Sequence, residues 1–347
     1  MSHRLLLLSA LASSFACRAA VDVDVPDEGG SCLAEVARSV GDEPLVYDLA
    51  WSPTEADLLL TGSTQLLRAY ELRDGELHLV GEDRSEARFN SVSFAPDGRR
   101  VFAPTGRELR VYDVEAGADE LSPSHTLTLT GPDDELQRGH VTADGARMLL
   151  CDTAGVLHLV DVSGPQPVAL DALDVHRRCT RVHTAPDAPL VISAAHDGRV
   201  ALTSFAGDRL ERLDAVDMGG ESGEARFGAT SAVAWAGAFD PPFALWELAV
   251  DAEAGTLAVR AEHSGHLSGI GAIDLDTTGT RLITGDHDHT VHVYETDDEG
   301  ALTLLDLLPV DGHGVHSART SADARHLART ASNLDELVVY SWDACTQ

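Results

Sequence analysis

The sequence predicts an all-β chain. It folds as a single seven-bladed β-propeller of four-stranded antiparallel blades, with the ring closed by an N-terminal strand that joins the last blade. Three observations predict this. A marker turn recurs at Pro53, Pro96, Ala143, Pro186, Thr277 and Ala322, with steps of 43, 47, 43, 91 and 45 residues. The step of 91 is two ordinary repeats, so one blurred unit lies inside it. Each repeat carries runs of Val, Leu, Tyr and Thr broken by Gly and Asp, the grammar of short strands and tight turns. A period in the mid-forties with about four strands per repeat marks a propeller, because one small sheet cannot bury both faces and stacking sheets around an axis buries them all.

The elements follow in order. Residues 1–16 read as a signal peptide: a short, weakly basic start at Ser2-His3-Arg4, then the apolar run Leu5–Ala16, too short to span a bilayer as a helix. Residues 17–31 are acidic, with Pro and Gly, and read as a tether. The domain occupies 32–347. Cys32–Val40 (CLAEVARSV) alternates like a strand. Blades one to four are marked by YDLAWSPTEADLLLTG, NSVSFAPDGRRVFAP, GHVTADGARMLLCDT and TRVHTAPDAPLVISAAHDG. The blurred fifth unit is placed at Arg226–His263. The sixth is the sharpest: GHLSGIGAIDLDTTGTRLITGDHDHTVHVYE, with strands expected at Gly269–Leu275, Thr280–Thr284 and Thr290–Glu295. The seventh, HSARTSADARHLARTASNLDELVVYSW, lacks a fourth strand, because only five residues follow Trp342. Cys32–Val40 is expected to supply it.

That closure would bring Cys32 and Cys345 to one end of a strand pair, where a disulfide would close a loop worth roughly 4–5 kcal/mol or more in the chain-entropy picture. Cys151 ends the second strand of blade three and Cys179 begins the first strand of blade four. Both lie toward one face of neighbouring blades, so a Cys151–Cys179 disulfide is the expectation and two buried free thiols the alternative. The spacing contains no CxxC, which argues against a zinc site. If Cys17 is modified, four cysteines remain, an even number that suits an oxidising compartment.

The net charge is −32, and all 25 basic residues are Arg. Such a surface opposes nucleic acid and anionic membrane and favours solubility. Contact with a membrane is expected only through a lipid on Cys17.

Two resemblances follow from these residues. Ser14-Phe15-Ala16 before Cys17 resembles a bacterial lipoprotein signal. That likeness implies a lipidated Cys17 and a cell-envelope protein, in the periplasm or on the outer membrane; ordinary cleavage at the same bond would leave a secreted protein. The repeats resemble the tryptophan–aspartate (WD) repeat family, most closely in blade six. There Gly265-His266 stands for the Gly-His pair, Asp288 for the tight-turn Asp, Thr284 for a Ser or Thr, and Tyr294-Glu295 for Trp-Asp. The likeness implies a structural hydrogen-bond network of His266, Thr284, Asp288 and Tyr294, with partial versions at Ser193 and Asp197 in blade four and at Gly312-His313 in blade seven. More loosely, the chain is similar to bacterial seven-bladed propellers of the lactonase type, in which Arg and His act from the channel.

Two sets of side chains are candidates for chemistry. His287, His289 and His292 crowd one turn and could hold a transition metal, although the repeat itself explains a turn there. Arg88, Arg138, Arg177, Arg178, Arg181, Arg226 and Arg319 begin or border first strands, which line a propeller's channel. Arg88, Arg138, His140, Arg181, Arg226 and His316 are therefore ligand-binding candidates for a carboxylate or phosphate. The alternative is pairing with nearby acids such as Glu135 and Glu224. No GxSxG, phosphate-cradling loop or HExxH is present, so no catalytic residue and no cofactor is expected. The leading reading is a monomeric, non-enzymatic platform that presents a loop face to a protein or small ligand at the cell envelope. The second is a hydrolase or isomerase acting on a small anionic or lactone substrate in the channel. The third is a metal-binding protein built on the blade-six histidines.

Overall fold

The computed structural model describes residues 31–342 except 41–44, 115–120, 132–133, 288, 297–300, 311–313 and 332–335. The expected signal peptide and the expected tether to residue 30, with Cys17, Asp288, Gly312-His313 and Cys345, lie outside the described residues.

Seven four-stranded antiparallel sheets form the blades. Six of them take their strands in chain order, at 46–84, 93–128, 136–174, 179–217, 222–263 and 270–309. The fifth blade begins at Ser222, four residues before the expected Arg226, because Ser222–Phe227 is its inner strand. Blade six runs as expected within two residues at each strand end: Ile270–Leu275, Arg281–Asp286 and Thr290–Thr296, then Leu302–Pro309.

The seventh blade has the order predicted for a closed ring. Strands Val315–Thr320, His326–Ala331 and Glu336–Ser341 are completed by Ala34–Val40, which pairs antiparallel with Glu336–Ser341 from Ala34↔Ser341 to Val40↔Glu336. The register shift between Glu35 and Ala37 matches the shift in the third-to-fourth strand pairing of other blades, for instance between Leu159 and Val160. The N-terminal strand therefore imitates an ordinary outer strand down to its bulge.

The core is divided among the spaces between blades. Seven apolar clusters are present among the described residues, and each joins two neighbouring blades. One packs Leu190 and Ile192 of blade four against Phe227 and Trp246 of blade five. Another packs Leu49 and Trp51 of blade one against Leu337 and Val339 of blade seven, with Ala37 of the closing strand. Second strands such as Leu190–Ala195 are buried along their whole length. They are covered on both faces, which is why they read as unbroken apolar and small runs rather than as alternating ones.

Cys151 and Cys179 form the expected disulfide between blades three and four, with Cα atoms 5.8 Å apart. Cys32 is half-buried and bonded to no cysteine among the described residues. Its expected partner Cys345 lies outside the described residues; among the described residues the seam is held by strand pairing and by the ion pairs described below.

Candidate functional site

The inner strands are Val46–Trp51, Ser93–Phe94, Leu136–Val141, Cys179–Thr184, Ser222–Phe227, Ile270–Leu275 and Val315–Thr320. Six of them slip register near their start, as between Val46 and Asp48 or Cys179 and Arg181. A bulge re-aims the side chains around it. Corresponding residues of successive strands thereby stack into rings around the channel. Asp48, Arg138, Arg181 and Glu224 share one position. His140, His183, Arg226, Asp274 and Arg319 share the position two residues later.

These rings carry the ion pairs. Arg138 meets Asp48 at 2.7 Å, Arg181 meets Glu224 at 2.5 Å, and Arg226 meets Asp274 at 2.9 Å. Arg319 approaches Asp48 at 3.5 Å and donates to the Ala318 and Ile273 carbonyls. Each pair links different blades. Hydroxyls of Ser91 and Ser317 donate to Asp48, and the Thr320 N–H and hydroxyl donate to Asp274. Burial raises the Asp48 pKa, but Arg138, Arg319 and Arg181 outweigh it and hold the carboxyl at about 2. Burial with the neighbouring Arg181 brings Arg138 down to about 10, so it stays charged at neutral pH.

The channel cavity divides at Arg138 and Arg181, which line both parts. One part, about 430 Å³, lies at the end where the inner strands finish. Its collar is the ring of repeat-marking turns, among them Pro53, Pro96 and Pro186. The other, about 260 Å³, lies where the strands begin and holds Arg88, His316, His287 and Phe239. The six ligand candidates are thus split: His140 and Arg226 belong to the larger part, Arg88 and His316 to the smaller, and Arg138 and Arg181 to both. Arg88 is paired with Glu135 at 2.9 Å, the pairing expected as the alternative to ligand binding.

His183 escaped the sequence analysis, although it stands 43 residues after His140, one full repeat. The two rings lie 4.1 Å apart. His140 Nδ1 accepts from the Thr184 N–H at 3.3 Å and lies 2.8 Å from the Thr184 hydroxyl, which donates to the Val141 carbonyl at 3.2 Å, and His183 Nδ1 accepts from the Phe227 N–H at 3.3 Å. Both rings are therefore the neutral tautomer with Nε2–H. Burial, with Arg226 and Arg319, pushes His140 down to about 3, and burial, with His140 and Arg226, pushes His183 well below its ordinary value.

The three histidines proposed for a metal do not converge. His287 turns to the channel beside His316, with ring centroids 5.5 Å apart, over Gly271, where a Cβ would come within 2.8 Å of His287 Nε2. His289 takes a positive φ of 70° in the turn. His292 joins His266 and Asp286 instead, and the donor atoms of these three buried residues lie within 4.8 Å of one another. That spacing could hold a cation, but hydrogen bonds already account for it. Asp286 Oδ2 accepts from His266 Nδ1 at 3.1 Å and from the Thr290 hydroxyl at 2.8 Å, with His292 Nε2 3.4 Å away. His266 Nε2 faces the Thr284 and Tyr294 hydroxyls at 3.2 and 3.4 Å. Of the expected network of His266, Thr284, Asp288 and Tyr294, the described members His266, Thr284 and Tyr294 lie together, with Asp286 as the carboxylate among the described residues; Asp288 lies outside them. Blade four holds the partial version, with His176 as a member the sequence analysis missed: His176 bonds Ser193 at 2.8 Å and lies 3.4 Å from Asp197. Blade three repeats the Asp–His contact at equivalent positions, Asp152 to His158 at 2.8 Å.

Residues 258–295, most of blade six with the end of blade five's outer strand, match the family described as WD domain, G-beta repeat. No curated protein matches the chain. The family match and the seven-bladed ring agree on a WD-like propeller.

Proposed function

We propose that this WD-like propeller is a non-enzymatic binding platform at the cell envelope, anchored through Cys17, and that it takes a protein partner on the face where the inner strands begin. The observation that carries the reading is the pairing of the channel guanidiniums. Arg138, Arg181 and Arg226 each meet a carboxylate of another blade. Most of their charge is spent on holding the ring together, which leaves, among the described residues, a single excess positive charge in the channel rather than the cluster of free cations a hydrolase on anionic substrates needs. A rigid ring with loops gathered at one end suits recognition. The chosen face carries the smaller cavity and, in the loop before blade six, Leu267, at 77% the most exposed large apolar side chain among the described residues. Anchoring rests on the run Leu5–Ala16 before Cys17.

The test is affinity capture from intact envelopes with wild-type protein and a Leu267→Asp variant. A partner held by wild type and lost by the variant supports the reading. Identical capture by both would remove this face from it. Mass spectrometry of the mature N-terminus reads the anchor directly: an unmodified Cys17 would make the protein secreted.

A further inference from the structure

The larger half of the channel has a charge imbalance that the ring does not need. Four guanidiniums line it, from Arg138, Arg181, Arg226 and Arg319, against three carboxylates, from Asp48, Glu224 and Asp274. One positive charge is left over in a cavity half open to solvent. Arg226 shows where. Its terminal nitrogen serves Asp274, while its buried Nε has no hydrogen-bond partner among the described residues. A buried guanidinium donor without an acceptor is costly unless something occupies the space before it.

Two further donors border the same space. His140 and His183 spend Nδ1 as acceptors, so each keeps an Nε2–H, and no hydrogen bond among the described residues reaches either one. The cavity, about 430 Å³, is far larger than an inorganic ion requires and falls in the range of small-molecule sites. Toward the mouth its wall turns apolar, with Phe94, Pro53, Pro96 and Pro186. The site therefore offers one unbalanced positive charge and N–H donors within, and an apolar collar above.

We propose that this half of the channel binds a small organic monocarboxylate, with its carboxylate at Arg226 and the His140–His183 pair and its apolar body within the collar. One negative charge balances the wall, and the carboxylate gives the Arg226 Nε and the imidazole N–H groups an acceptor. A dianion would overshoot the balance, and a cation would add to the excess. The site is independent of the protein partner proposed above, which docks at the opposite end of the channel.

Calorimetric titration of the intact domain with benzoate, its neutral counterpart benzamide and the cation benzylamine is the test. Benzoate should bind, and the other two should be at least about tenfold weaker, the discrimination a single lost charge-assisted contact produces. Arg226→Gln should weaken benzoate by about tenfold or more. Glu224→Gln raises the excess from one charge to two and should strengthen benzoate binding, the opposite sign from generic damage to the channel. Equal binding of benzoate and benzamide, no benzoate binding to folded wild type, or weaker binding by folded Glu224→Gln would each overturn the proposal. Capture of a protein partner by folded Arg226→Gln, run in parallel, separates the two readings: loss of benzoate with capture intact touches this site alone.

Discussion

The guanidinium of Arg329, 1% exposed, meets the carboxylate of Glu336 at 3.0 Å across the second and third strands of the last blade. Arg38 of the closing strand reaches the other oxygen of Glu336 and is itself paired with Glu35. Removing one member leaves a buried charge unpaired, which costs about 3–5 kcal/mol. Glu336→Ala should therefore destabilise by that order, read from denaturant midpoints. Replacing both partners by apolar residues, Arg329→Met with Glu336→Leu, should recover most of the loss. A double variant as weak as the single one would show that the pair does more than satisfy itself.

The Cys151–Cys179 disulfide staples blade three to blade four across a sequence separation of 28 residues. The chain-entropy relation assigns such a loop about 3–4 kcal/mol. A Cys151→Ala, Cys179→Ala double variant should lose stability on that scale, and the wild type should lose as much under reductant. An unchanged melting curve in reductant would contradict it.

Acid should weaken the ring earlier than carboxylate chemistry alone would. His140 and His316 are held at about 3, and His266 at about 4, chiefly by burial. A folded-state pKa below the unfolded value means that the unfolded chain binds protons first. Stability from these groups is fully present above about pH 6.5 and falls as pH drops toward the folded values, by up to about 1.4 kcal/mol per pH unit for each histidine. Asp48, at about 2, adds a second loss below about pH 4. Urea unfolding across pH 7 to 4, for wild type and His140→Gln, should show a shallower slope in the variant. Equal slopes would mean that His140 titrates normally.

The Asp286 carboxylate is drawn far below the usual range. Burial opposes this, but donors from His266, His292 and Thr290 outweigh it. Asp286→Asn should cost about 2–3 kcal/mol through loss of hydrogen bonds to a charged acceptor. Zinc or a chelator should leave the wild-type melting temperature unchanged. A zinc-dependent rise abolished by Asp286→Asn would turn the network into a metal site.

The ring was legible because a repeat declares itself by period, and each blade follows local strand and turn chemistry. The outer strand from the N-terminus was legible because the last blade visibly lacked one. What stayed hidden was pairing around the axis. Arg138 and Asp48 stand 90 residues apart, and Arg319 and Asp48 farther still, so loop neighbours such as Glu135 were the natural partners to assign. Only the ring brings equivalent positions of different blades into contact. His183 and His176 left a signal that could have been followed: His183 is one repeat from His140, and His176 precedes Ser193 and Asp197 much as His266 precedes Thr284 and Asp288. The local crowding of His287, His289 and His292 drew attention to sequence neighbours, whereas the bulged strands and the turn send the three in different directions.

The closing strand also imposes an order in time. Ala34–Val40 is made first, and its partner Glu336–Ser341 is made last. The outer edge of the last blade and the unpaired N-terminal strand cannot meet until nearly the whole chain has been synthesised. Until then two open edges exist, one at each end of a growing arc, and each can pair with another chain. A closure of such long sequence separation is slow. The vulnerable moment of this protein's life is therefore the interval before the circle is shut, and variants at Arg38 or Glu336 should reveal themselves first as aggregation during folding.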